Sequence, residues 1–252
     1  MRLTVLGSGT ALPTKQRLPS SFLIETEKTK LLLDCGFGSL ARMVALGFDP
    51  RDIDGVFVSH FHPDHFGDAF NLVCARFIGN IYQNTPQHIL KFYGPATLRD
   101  RFLKWREIMW SEANENHPLE FNEGVGEHDL GDLHLKIFPI THVTHFQSVG
   151  VRVSRGEKSL VYTGDVGGSQ DFKELATYAA GANLLVIESG YEISTPNHLS
   201  LHDIEHLVNL TQMRRTLLAH IRAKVGEEKR LKEFVQAHST FTLAEDGMTI
   251  DL

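Results

Sequence analysis

The chain has 252 residues, of which 42% are hydrophobic and 22% charged, and its formal net charge is −6. This is the balance of a globular protein that can bury a substantial core, so we expect one domain over residues 1–252. The negative charge argues against a uniformly basic nucleic-acid binder, because phosphate contacts require clustered lysine and arginine. Cys35 and Cys74 form no C-x-x-C pair, so neither a disulfide framework nor a cysteine-based zinc site is indicated.

The N-terminal residues MRLTVLGSGTALP lack the apolar run of a signal peptide. No stretch of the sequence is apolar over the roughly 20 residues that a membrane-spanning helix needs. We therefore expect a cytoplasmic protein with no membrane partner. A run of mixed charges over residues 214–233 predicts a solvated helix face, with a local basic patch as the alternative.

The first half of the chain alternates short strands with helices. Strands are predicted at residues 2–6, 21–25, 30–34, 55–59 and 88–93, and helices at 39–46, 67–77 and 98–109. Leu98, Phe102, Trp105 and Met109 share one face of the last helix. That face, within residues 96–110, predicts a core-packed helix, a lid or an interface. Residues 111–127 are rich in polar residues and glycine and predict a loop.

The second half repeats this layout. Strands are predicted at residues 133–140, 148–153, 159–163, 183–188 and 216–219, with a closing strand at 240–252, and helices at 171–180, 201–212 and 227–238. Strands followed by mixed strand–helix units, twice over, predict an α/β (α+β) fold. In it two mixed sheets pack face to face with helices outside, an αββα sandwich.

Residues 59–68 read Ser-His-Phe-His-Pro-Asp-His-Phe-Gly-Asp and contain the pattern H-x-H-x-D-H. Alternate residues of an extended strand end point the same way, so His60 and His62 can hold one ion. Asp64 and His65 lie on the following turn and can face a second ion. Imidazole and carboxylate donors suit zinc and also accept manganese or iron. Four such residues in six positions make a plain surface loop a poor alternative.

This pattern resembles the metallo-β-lactamase superfamily and, within it, the ribonuclease Z-like phosphodiesterase branch. The likeness also covers residues 6–11 (LGSGTA), 33–36 (LDCG), 161–165 (VYTGD) and 217–220 (LLAH). The resemblance implies a four-layer αββα metallo-β-lactamase sandwich. It also implies a hydrolase with two divalent metal ions, of which Zn²⁺ is preferred and Mn²⁺ or Fe²⁺ are alternatives.

By the same resemblance, one metal would be held by three histidines and the other by two histidines and a carboxylate, with an aspartate between them. The first metal would be held by His60, His62 and His142. The second would be held by His65, His220 and Asp64, and Asp165 would lie between the two. His142 directly follows the strand at 133–140 and is preferred over His145, which is expected near the ligands or in a substrate pocket. Asp34 is expected to accept the free N–H of a ligand histidine. The alternative is that Asp34 caps the turn at Gly36.

Glu188 and His198 resemble the branch's strand-end glutamate and its His-Ser/Thr segment. The resemblance implies a catalytic histidine, oriented by the carboxylate and placed beside the leaving oxygen. The alternative is that His198 caps the helix at 201–212. The third catalytic residue expected is Asp64, as a proton acceptor. His202 and His206 have ligand-like spacing on a helix but are expected to be exposed, and a surface location is expected for His88, His117, His128, His134 and His238.

The resemblance predicts hydrolysis of a small or nucleotide phosphodiester by a hydroxide bridging the two metals. A ribonuclease Z-like tRNA 3′ endonuclease is the first alternative. Only 22 residues separate His142 from Asp165, too few for the branch's tRNA-binding arm, and the chain is acidic, so RNA is disfavoured. Ester, thioester or lactone hydrolysis is the second alternative. A redox module is disfavoured because His62 stands where such relatives carry a carboxylate. A homodimer remains open.

Overall fold

The computed structural model describes residues 1–83, 88–110 and 118–252. Its strands form two seven-stranded sheets. In the first sheet the neighbours are, in order, β14 (Thr249–Asp251), β1 (Arg2–Gly7), β2 (Ser21–Glu25), β3 (Lys30–Leu33), β4 (Gly55–Phe57), β5 (Leu90–Gly94) and β6 (Leu119–Glu123). Pairing is antiparallel from β14 to β3 and parallel from β3 to β6, so the sheet is mixed.

The second sheet has the same construction. Its neighbours are, in order, β13 (Phe241–Leu243), β12 (Thr216–Ala219), β11 (Leu184–Glu188), β10 (Lys158–Tyr162), β9 (Ser148–Arg155), β8 (Leu133–Ile140) and β7 (Gly126–Leu130). Pairing is antiparallel from β7 to β10 and parallel from β10 to β13. Each sheet therefore carries its parallel strands in one half.

Helices cover the outer face of each sheet. They are α1 (Ser39–Ala45), α2 (Pro63–Phe66), α3 (Ala69–Gln83), α4 (Leu98–Met109), α5 (Phe172–Ala179), α6 (Leu201–Thr211) and α7 (Glu227–Ala237), with a 3-10 turn at Pro50–Asp52. Among the described residues, no helix is both long and apolar enough to cross a membrane. The exposed face of α7 carries the pairs Lys229–Glu233 and Lys232–Glu228, as the mixed charges predicted.

The strand period of two divides the apolar side chains between layers. Leu31 and Leu33 of β3 point into the core between the sheets, where they join residues such as Val151 of β9. Leu32, between them, points outward into the cluster beneath α1, α3 and α4. A third cluster lies between the second sheet and α5, α6 and α7. The predicted four-layer αββα sandwich is therefore confirmed.

Two segment predictions are wrong. The predicted loop at 111–127 contains β6 and the start of β7, and residues 111–117 lie outside the described part of the chain. Leu119 and Phe121 of β6 pack half-buried against the outer cluster, and this long-range contact outweighs the polar composition. The single closing strand at 240–252 is two strands, β13 and β14, in different sheets. Gly247, with a φ of 88°, lies in the turn between them.

Helix α4 is a core helix over its first half. Leu98 and Phe102 are fully buried, whereas Trp105 is half-buried and Met109 is 60% exposed. The core interpretation of this face therefore holds at Leu98 and Phe102. The same helix runs toward the surface at its C-terminal end, where Ile108 is also exposed.

Three residues after strand ends have left-handed backbone conformations. The φ of Asp34, after β3, is 56°, that of His220, after β12, is 52°, and that of Gly164, after β10, is 62°. Such φ values cost a non-glycine residue roughly 1–3 kcal/mol and persist only where surrounding contacts fix the chain. All three residues lie at the edge where the parallel strands end.

Gly164→Ala tests how tightly this edge is packed. A Cβ at residue 164 would lie 2.6 Å from Ser59 Cβ and 2.7 Å from Ser59 Oγ, whereas one at Gly156, with a φ of 58°, would meet nothing within 4 Å. We expect Gly164→Ala to lower the free energy of unfolding by about 3 kcal/mol, from overpacking added to backbone strain, and Gly156→Ala by about 1 kcal/mol. Urea denaturation measures both, and equal losses would contradict the packing argument.

Candidate metal centre

The seven predicted ligands come together at the edge where the parallel strands of both sheets end. His60, His62, Asp64 and His65 follow β4, His142 follows β8, Asp165 follows β10 and His220 follows β12. Donor atoms of His60, His62, His142 and Asp165 all lie within 4.8 Å of one another. The same holds for Asp64, His65 and His220.

In the first group, imidazole nitrogens face each other. His60 Nε2 lies 3.0 Å from His62 Nδ1, and His142 Nε2 lies 3.5 Å from the same atom. Asp165 Oδ2 is 3.9 Å from both His60 Nε2 and His142 Nε2. Three ring nitrogens and one carboxylate oxygen therefore surround one small space.

The second group lies on the other side of Asp165. His220 Nε2 is 3.3 Å from Asp64 Oδ2, and His65 Nε2 is 3.8 Å from the same oxygen. Asp165 Oδ1 lies 3.4 Å from His65 Nε2, and Asp165 Oδ2 lies 3.4 Å from His220 Nε2. Asp165 is thus within reach of both groups, as expected for a residue between two ions.

Asp34 anchors this arrangement from below. Its buried carboxylate accepts hydrogen bonds from His65 Nδ1 at 2.6 Å, from Ser59 N at 2.6 Å and from Ser59 Oγ at 2.7 Å. Tyr162 Oη, from the second sheet, donates to it at 2.5 Å. Asp34 therefore contacts a candidate ligand histidine, which is the expected role, and its side chain does not cap the turn at Gly36.

The partners of the outer nitrogens fix the tautomers of three histidines. His65 Nδ1 donates to Asp34, His142 Nδ1 donates to the carbonyl of Asn197 at 2.7 Å, and His60 Nδ1 donates to Ser59 Oγ at 3.0 Å. In its neutral form, each of these rings presents the lone pair of Nε2 to the centre. Burial lowers the pKa of His142 to about 4 and that of His60 well below its usual range, which favours the neutral, metal-binding form.

Two buried atoms without hydrogen-bond partners indicate that cations fit this site. His65 Nε2 and Asp165 Oδ1 have no hydrogen-bond partner among the described residues, although they lie only 3.4 Å apart. Burial lowers the pKa of His65, but the charges of Asp165 and Asp34 outweigh burial and raise it well above its ordinary value. The electron-rich atoms thus favour a positive charge between them. Nitrogen and carboxylate donors in this number fit divalent ions such as zinc.

The structure distinguishes His142 from His145, the two candidate metal ligands that follow β8. His142 lies within the first group, whereas His145 is exposed and packs edge-on against Phe146 at 5.2 Å. The His142 side chain is 1% exposed, and its ring lies 4.8 Å from that of His60 and 5.2 Å from that of His62. The geometry therefore brings His142, and not His145, into the first group.

Glu188 and His198 form a pair at the rim of the centre. His198 Nδ1 donates to Glu188 Oε2 at 3.0 Å, and Glu188 Oε1 accepts from the backbone of Val166 at 2.8 Å. Burial lowers the pKa of His198, but its hydrogen bond to Glu188 outweighs burial and raises it. A ring nitrogen of His198 also lies within 4.8 Å of donor atoms of Asp165 and His220.

The alternative role of His198 as a helix cap is wrong. Ser200 is the N-cap of α6, because its hydroxyl accepts from Asp203 N at 3.2 Å while Asp203 Oδ2 accepts from Ser200 N at 2.9 Å. This reciprocal pair satisfies the free N–H groups at the start of the helix. His198 is thereby left to face the centre.

The remaining histidines lie apart from both groups. His88, His134, His202 and His206 are exposed, His128 and His238 are half-buried, and His117 lies outside the described residues. Sequence reasoning missed Tyr162, which donates to Asp34 across the two sheets. Its position in a strand-like run, VYTGD, carried no signal beyond a buried aromatic residue.

Comparison with known proteins agrees with this geometry. The sequence profile described as "Metallo-beta-lactamase superfamily" matches residues 15–203. A ribonuclease Z of Mycobacterium sp. (strain KMS) is 28% identical over 199 residues, which cover 74% of this chain and 67% of the relative. The short form of human tRNase Z has a TM-score of 0.79 at 21% identity, covering 100% of this chain and 99% of that chain.

A diphosphatase of the PhnP family has a TM-score of 0.76 at 18% identity, covering 100% of this chain and 97% of that chain. At these identities the two structures show the shared fold. Fold and centre together define a metal-dependent hydrolase. The profile match covers most of the chain, which therefore belongs to the metallo-β-lactamase superfamily. The resemblance to its ribonuclease Z-like branch is confirmed.

Asp34→Asn tests the anchoring of His65. An amide cannot accept all four hydrogen bonds, so we expect about 10- to 100-fold weaker zinc binding, the range for losing a partner of a ligand histidine. Competition with a chromophoric chelator measures the affinity. Tyr162→Phe removes one donor and keeps the carboxylate, so it reports on the site if Asp34→Asn folds poorly. Asp100→Asn, on the surface of α4, is the control. Unchanged zinc affinity in folded Asp34→Asn would contradict the role.

Proposed function

We propose that this protein is a binuclear metal-dependent phosphodiesterase acting on a small or nucleotide phosphodiester. The observation that carries the proposal is the pair of donor groups that share Asp165, with the Glu188–His198 pair at their rim. Zn²⁺ is the preferred ion because imidazole nitrogens predominate among the donors.

The residues proposed to hold the ions are those brought together by the fold. His60, His62 and His142 would hold one ion, Asp64, His65 and His220 the other, and Asp165 would lie between them. Two such ions, when bound, lower the pKa of a water molecule and neutralise negative charge at the reacting phosphorus. Asp64 would accept a proton from that water, since its carboxylate stays ionised beside His220 and His65.

His198 is proposed to protonate the leaving oxygen. The bond from Nδ1 to Glu188 fixes one edge of the ring, and the ring stacks 4.7 Å from Tyr191 on one side and 5.7 Å from His220 on another. The remaining nitrogen, Nε2, is then free to carry the proton that the leaving group takes. Glu188 would favour the protonated ring through its charge.

Two observations support a small substrate over tRNA. The segment between His142 and Asp165 contains the adjacent strands β9 and β10, which leave few residues for an arm. The formal charge of −6 also disfavours a long polyanion. The similarity to ribonuclease Z favours a tRNA 3′ endonuclease as the second candidate. A precursor tRNA transcript distinguishes the two.

A substrate panel tests the proposal. We expect the zinc-loaded protein to cleave bis(p-nitrophenyl) phosphate faster than p-nitrophenyl acetate or a lactone, and to leave precursor tRNA intact. Asp64→Ala and His65→Ala should abolish metal-dependent turnover, because each removes a proposed ligand, whereas His202→Ala, on the exposed face of α6, should keep it. Full activity in either ligand variant would refute the scheme, and preferred cleavage of the acetate or lactone would favour the other hydrolase class.

His198→Ala tests proton donation through its dependence on the leaving group. Nitrophenolate leaves without a proton, whereas the sugar alkoxide of a dinucleoside monophosphate needs one. We expect kcat to fall by about 100-fold or more on the dinucleotide and much less on bis(p-nitrophenyl) phosphate. Glu188→Gln should show the same pattern more weakly. Equal losses on the two substrates would mean that His198 does not protonate the leaving group.

A further inference from the structure

One arginine of α4 lies over two aromatic rings beside the centre. The Arg101 Cζ is 4.6 Å from the ring centroid of Phe61 and 5.5 Å from that of Phe146. Its Nε donates to Thr97 Oγ1 at 3.3 Å, one helical turn earlier. Within the described residues, no carboxylate lies within ion-pair distance of this guanidinium. Its two terminal nitrogens therefore have no protein acceptor among those residues.

The two rings connect Arg101 to the candidate ligands. Phe61 stands between His60 and His62 in the sequence. Phe146 stacks 6.1 Å from the ring of His60 at an interplanar angle of 23°, and its centroid is 5.4 Å from the ring of His62. Phe61 and Phe146 meet edge to face at 5.6 Å. One aromatic ring thus separates the guanidinium from the first donor group.

This arrangement holds a cation in place without neutralising it. Stacking on aromatic faces orients the planar guanidinium, and the bond from Nε to Thr97 removes a further degree of freedom. The free terminal nitrogens form a fork that matches the oxygens of a phosphate group. An exposed arginine paired with a neighbouring carboxylate would lack this capacity.

We propose that Arg101 binds a second phosphate group of the substrate, while the metal centre acts on the scissile phosphodiester. This inference rests on the proposed phosphodiesterase function and narrows the substrate to nucleotide diesters that carry an additional phosphate. Phe61 and Phe146 are positioning residues, since they orient the guanidinium. The terminal guanidinium nitrogens of Arg101 would distinguish substrates with a second phosphate group from those without one.

A matched pair of substrates tests this. Thymidine 5′-(p-nitrophenyl phosphate) carries one phosphodiester, and its 3′-phosphorylated analogue carries the same diester with a second phosphate. We expect Arg101→Ala to raise KM for the phosphorylated substrate about tenfold more than for the other, as loss of one charge-assisted contact predicts. Arg101→Lys should recover part of the difference, because lysine keeps the charge without the fork.

Arg99→Ala is the control. Arg99 is exposed on the same helix, and its substitution removes the same positive charge. It should leave both KM values within about twofold of wild type, because a general field of surface charge is screened by salt. If Arg99→Ala and Arg101→Ala change the two KM values alike, the effect is overall charge and the proposal is overturned. It is also overturned if Arg101→Ala does not discriminate between the substrates.

A binding measurement separates this inference from the proposed function. Titration calorimetry of the zinc-loaded protein compares thymidine 3′,5′-bisphosphate with thymidine 5′-monophosphate. We expect wild type to prefer the bisphosphate and Arg101→Ala to lose that preference. Failure to cleave either diester would refute the proposed phosphodiesterase activity. The binding preference would still test whether Arg101 binds the second phosphate group. Cleavage of both diesters with no binding preference would overturn only the role of Arg101.

Discussion

The hydrogen bonds to the buried carboxylate of Asp34 are the constraint on which the centre depends. This side chain accepts from His65 and twice from Ser59, and it accepts from Tyr162 of the other sheet. An isolated buried charge would be strongly unfavourable, but four donors offset its desolvation. The same contacts explain why Asp34 keeps a left-handed φ of 56°. One carboxylate thereby joins both sheets to the histidine-rich loop.

Hydrogen bonding to Asp34 also determines which ring nitrogen of the candidate ligand histidines carries a proton. It accepts directly from His65, and it accepts from the Ser59 hydroxyl that in turn accepts from His60. Each ring must then present its other nitrogen inward. Buried electron-rich atoms that face one another without a hydrogen-bond partner cost roughly 1–3 kcal/mol each. A centre that favours cations is the physical result.

Local sequence patterns predicted much of this fold and centre. His60, His62, Asp64 and His65 form one compact motif that could be found locally. Asp165 and His220 follow apolar runs, but it was the family resemblance that assigned them as ligands. The strand in 119–123 and the division of 240–252 could not, because both depend on pairing with distant strands. Tyr162 and Arg101 were missed for the same reason. Their partners are Asp34 and Phe146, which only the folded chain brings near.

Cys35, which follows Asp34 in the sequence, is fully buried, and its backbone N–H donates to the carbonyl of His65 at 2.8 Å. Burial raises the pKa of its thiol well above the ordinary value, and the nearby carboxylates of Asp68 and Asp34 add to this. A protonated thiol is a poor nucleophile and a poor ligand for soft metals. Burial, with smaller contributions from Asp68 and Asp34, therefore keeps the sulfur beside the histidine-rich loop protonated and weakly reactive.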